Sequence, residues 1–64
     1  MSNPALDAAI DQAAQLSARF AKISRNDRIE ASTREGRVVF DRVNRGVTTE
    51  RDVDPEEIEQ ELNL

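Results

Sequence analysis

The apolar pattern of this chain loses phase once, and that break constrains the fold more than any other feature. Leu6, Ala9, Ala13, Leu16, Phe20 and Ile23 recur at alternating steps of three and four, with Ile10 beside them, which is the spacing of one face of an α-helix. Carried further, the same face would meet Asp27 and Glu30. A buried stripe does not run on into carboxylates, because an unpaired charge out of water is too costly. Apolar and small residues resume in a new phase at Ile29, Thr33, Gly36, Phe40 and Val43, with Val39 alongside. The pattern predicts a first helix from Pro4 to about Ile23, a tight turn at 24–27, and a second helix from near Arg28 to Arg45. Together they would form an antiparallel helical hairpin over residues 1–46.

Local signals fit that reading. Asn3 can cap the first helix, and Pro4 at its first position gives up an N–H that has no helical partner. Ser24 or Asp27 would cap the second helix, and Asn44-Arg45-Gly46-Val47 suits a left-handed glycine just past its end. Gly36 falls on the inner face of the second helix, where it either admits a close helix contact or breaks the helix. A strand from Arg37 to Val43 is the competing assignment, since the stretch is bounded by glycines and rich in valine. Its faces would be Val38, Phe40, Arg42 and Arg37, Val39, Asp41, Val43. Neither is wholly apolar, so the helix is preferred.

Beyond a polar linker at 48–52, Val53-Asp54-Pro55-Glu56-Glu57-Ile58 is a strong helix start. Asp54 caps, Pro55 opens the first turn, Glu57 completes a variant capping box, and Val53 can pack on Ile58. The helix runs to about Leu62 and is too short to persist alone in water. The expected fold is therefore all-α: a helical hairpin, then a linker and short acidic helix over 47–64 that act as an arm. Dimerisation or a partner would complete it.

The need for a partner follows from size. A chain of 64 residues buries only about 60% of its unfolded surface. With no cysteine and no histidine it has neither disulfides nor the usual zinc ligands to compensate, which leaves association. Leu16, Phe20, Phe40 and Val43 are the expected self-association residues. Charge is segregated: residues 1–18 carry −2, residues 19–49 carry +4 and residues 50–64 carry −6. No apolar run is long enough for a membrane span and no signal peptide is apparent, so the expectation is a cytoplasmic protein without a membrane partner.

Acid–base catalysis would rest on carboxylates alone, without histidine, cysteine or tyrosine, so no enzyme and no cofactor is expected. Asp52, Asp54, Glu56 and Glu57 are dense but lack the spacing and glycine of a calcium loop, and no metal site is expected. Arg25, Arg28, Arg34, Arg37, Arg42 and Arg45 are candidate phosphate contacts for a homodimeric nucleic-acid-binding regulator. Against that, Glu30–Arg34, Arg37–Asp41 and Asp41–Arg45 would pair at i, i+4 along the second helix. In the acidic arm, Val53, Ile58 and Leu62 are candidate anchors and Glu56, Glu57 and Glu61 candidate steering charges for a partner with a basic surface.

A helical body joined to the acidic stretch 47–64 resembles the layout of small bacterial antitoxins, which implies an arm that neutralises a partner protein. Ser32-Thr33-Arg34-Glu35-Gly36 shares only Glu35 and Gly36 with the motif of antitoxins that inhibit Fic adenylyltransferases. Two residues separate Ser32 from Glu35 where that motif has three, a rotation of about 100° on a helix. The functional expectation is a small non-enzymatic regulatory protein that binds and modulates another protein, antitoxin- or inhibitor-like.

Overall fold

The computed structural model describes residues 3–24 and 26–63. A helix, α1 (Pro4–Phe20), leads into three strands, β1 (Asp27–Arg34), β2 (Arg37–Asn44) and β3 (Val47–Glu50), and a second helix, α2 (Pro55–Leu62), closes the chain. The strands form one antiparallel sheet in the order β1-β2-β3. The protein is thus α+β, and the expectation of an all-α helical hairpin is corrected: only the terminal helices are helical.

Two turns explain the correction. Glu35 and Gly36 have φ of 53° and 76°, and Arg45 and Gly46 have φ of 52° and 79°. Two successive residues at positive φ make the type I′ turn, whose twist matches that of paired strands. The glycines that suggested a helix contact and a helix end are instead the second residues of two tight hairpins. Arg34 pairs with Arg37 around the first turn and Asn44 with Val47 around the second.

The mixed faces that argued against a strand at 37–43 have a simple cause. β2 is the central strand, and both of its faces carry apolar residues. Phe40 packs against the main core, while Val39 and Val43 are 5% and 2% exposed on the other side. A strand apolar on both sides does not alternate cleanly.

Both helices cover the same face. Ala13, Leu16 and Phe20 of α1 meet Ile29 of β1, Val53, and Ile58 of α2, with Ala31, Phe40 and Leu62 at the margin. The opposite face, which carries Val39 and Val43, has no helix over it among the described residues. The helix starts follow the sequence signals: Asn3 Oδ1 accepts from Leu6 N at 3.1 Å, and Asp54 Oδ1 from Glu56 N at 2.9 Å. α1 ends at Phe20 rather than Ile23, which is 71% exposed.

One bend connects the sheet to α2. Asp52 sits at a φ of 56°, and its N–H donates to Asp41 Oδ1 at 3.1 Å. Arg34 Nη2 donates to the other Asp41 oxygen at 3.0 Å. That carboxylate holds a strained backbone position in place. Val53 N then donates to Phe40 O at 2.8 Å and the chain enters α2.

Candidate functional site

The hydrogen-bond alternation of an antiparallel sheet fixes which groups of its edge strand face outward. Arg45 N donates to Asn26 O at 3.1 Å, so in β1 the even-numbered residues turn their backbone groups toward β2. Those of Ile29, Ala31 and Thr33 turn away from it. At Ile29 the outward pair is met by one side chain: Ser17 Oγ accepts from Ile29 N at 2.9 Å and donates to Ile29 O at 3.1 Å. A single serine on α1 thus caps one link of the edge, as a neighbouring strand would. Among the described residues no hydrogen bond reaches the outward groups of Ala31 or Thr33.

A groove opens where that cap ends. Its volume is about 280 Å³, and it lies between Ile10, Ala13 and Ala14 on α1 and residues 28–31 of β1. The alanines make this wall of α1 thin, and Ile10, on the rim, is 50% exposed. The site is therefore a strip of unpaired backbone beside an apolar channel, the geometry that accepts an extended chain as an added strand.

A second cluster ties the two helices to the sheet. The Arg42 guanidinium lies 5.0 Å from the centroid of the Phe20 ring and forks onto both oxygens of Glu61 at 3.4 Å. It also stands 3.9 Å from Asp27. Asn44 Nδ2 donates to Asp27 at 2.6 Å. That bond, then one from Ser24 and the charge of Arg42, hold the Asp27 carboxyl below its ordinary range against the opposing pull of burial. Nearby, Arg19 donates to Asn63 and joins the ends of α1 and α2.

The residues singled out from the sequence are distributed differently from their expected grouping. Of the candidate anchors, Val53 and Ile58 lie in the chain's own core and Leu62 is half-buried against it, while Glu56 and Glu57 are exposed and Glu61 holds Arg42. Leu16, Phe20 and Val43 are almost wholly buried and Phe40 is half-buried. Arg28, Arg34 and Arg37 share the uncovered face of the sheet, interleaved with Glu30 and Asp41 by register. Arg28 pairs with Glu30 at 2.9 Å, Arg42 is on the helix side, Arg45 is in a turn, and Arg25 lies outside the described residues. The five described arginines are not brought to one surface. Among the described residues no three acidic side chains converge as metal ligands would, and no helix is long and apolar enough to cross a membrane.

Sequence reasoning missed Ser17, Ala14 and the backbone of Ala31 as parts of a site. The signal available was the spacing of the two glycines, ten residues apart with a strand-length stretch between them. Compared with protein-family models, curated proteins and solved structures, the chain matches none of them.

Proposed function

We propose that this chain is a small non-enzymatic regulatory protein, of the inhibitor or antitoxin kind, that works through association with a protein chain at the α1–β1 groove. The observation carrying the reading is the open edge of β1. Ala31 and Thr33 offer backbone donors and acceptors beside an apolar channel, and an extended polypeptide is the ligand that answers both at once. Burying Ile10 and pairing the edge supply affinity, while the exposed acids from Glu50 to Glu61 favour encounter with a basic surface.

A photo-reactive residue in place of Ile10, in the cell that makes the protein, tests this. A discrete cross-linked protein chain is expected, and the same residue in place of the exposed Thr48 on β3 should not give it. Ala31→Pro should abolish the product, because it deletes an outward N–H that is not part of the sheet ladder. Absence of a discrete product from position 10, or a product indifferent to Ala31→Pro, overturns the reading.

A further inference from the structure

We propose that the occupant of the open β1 edge is the same edge of a second copy, joined across a two-fold axis through Ser32. The inference rests on the reading of the groove as a protein-binding site and names what fills it.

The pattern of free groups restricts the register. Ile29 is closed by Ser17, so the pairing begins at Ala31. In an antiparallel pair of identical strands, Ala31 exchanges its hydrogen bonds with Thr33 of the second copy, and Thr33 with Ala31. Ser32 then faces Ser32 of the second copy, and Glu30 stands directly opposite Arg34 of the second copy on both sides of the axis. Opposite charges at facing positions stabilise a strand pair, and like charges there oppose it. Shifting the centre to Ala31 would require the groups of Ile29 that Ser17 holds. Shifting it to Thr33 would set Glu30 beyond the strand, against Gly36 of the second copy. Only the Ser32 centre makes the edge complementary to itself in both hydrogen bonding and charge.

The joined sheet runs β3-β2-β1 and then the same strands of the second copy in reverse. Because the axis is perpendicular to the sheet, both α1 helices lie on one side of it, antiparallel, with Ile10 of each turned toward the other's groove. Leu16, Phe20 and Val43, being buried within one chain, remain there. The exposed acids of α2 stay at the far ends, free of the junction.

Two measurements on the full chain test the proposal. Glu30→Arg and Arg34→Glu each set like charges opposite one another, and light scattering should find each a folded monomer at concentrations where the wild type is a dimer. Mixed, the two variants should form a heterodimer, since every facing pair is again opposite in sign. As a control that does not depend on the fold tolerating Arg34→Glu, Ser32→Cys should oxidise rapidly to a covalent, folded dimer. Facing residues of this kind bring Cα atoms to about 4.5 Å, within the range of about 4.4–6.8 Å that a disulfide spans. The exposed Thr48→Cys should oxidise far more slowly. A monomeric wild type, or Ser32→Cys oxidising no faster than Thr48→Cys, overturns the second copy as occupant. If position 10 still cross-links to a different protein, the groove reading survives that failure. If it cross-links to nothing, both fall.

Discussion

Asp27 and Arg42 show how much of this small core rests on individual polar side chains. The guanidinium is placed between a ring, two carboxylates and the sheet, and it is only about a quarter exposed. The titration of Asp27 is displaced downward, first by the hydrogen bond from Asn44. A carboxyl whose folded pKa lies below its unfolded value binds protons more readily when unfolded. Its contribution is therefore present above the unfolded value, near pH 4, and disappears as pH falls through the lower folded one. Asp27→Asn should lower the melting temperature at pH 7. Melts in steps down to pH 2 should show the gap between variant and wild type closing below about pH 4. A gap that is constant with pH would mean that the charge of Asp27 is not what stabilises the fold.

At the level of elements, the two hairpin turns decide the architecture. Glu35 occupies a left-handed position that costs an ordinary L-residue roughly 1–2 kcal/mol, a region that asparagine tolerates better. Glu35→Asn should raise the unfolding free energy by up to about 1 kcal/mol, read as a higher urea midpoint at unchanged slope. Gly36→Ala should lower the unfolding free energy by about 1–2 kcal/mol, although a Cβ there would meet nothing within 4 Å. Equal midpoints for wild type and both variants would contradict the turn assignment. These turns also mark where the sequence was legible and where it was not. Asn3-Pro4 and Asp54-Pro55 announce their helices because a cap is a local device, complete within a few residues. The strands are not local. Ile29, Thr33, Phe40 and Val43 happen to fall at helical steps, and β2 hides its period of two because both of its faces are apolar. Ser17 could not be read as an edge cap until β1 was known to be an edge.

Across the whole molecule, the acidic C-terminal segment belongs to the fold rather than standing outside it. Val53 and Ile58 are 8% and 4% exposed within the shared core, and each such side chain contributes about 1.5–3 kcal/mol. A domain of this length has roughly 3–10 kcal/mol in total at about 0.05–0.15 per residue. Removing residues 51–64 should therefore abolish the cooperative thermal transition by circular dichroism. A truncated chain that still melts cooperatively near the wild-type temperature would show α2 to be dispensable. The two borders of the sheet are unequal in a way that bears on crowding. β1 is eight residues long and leaves the outward groups of Ala31 and Thr33 open beyond the Ser17 cap, whereas β3 is four residues long, acidic at its end and out of step with β2 between Arg42 and Val43. Short, charged and bulged borders resist further strand addition. Under the proposed pairing, a molecule whose receptive border is matched to itself reaches a closed assembly and has nowhere to extend, so rising concentration would lead to a finite complex in place of a filament.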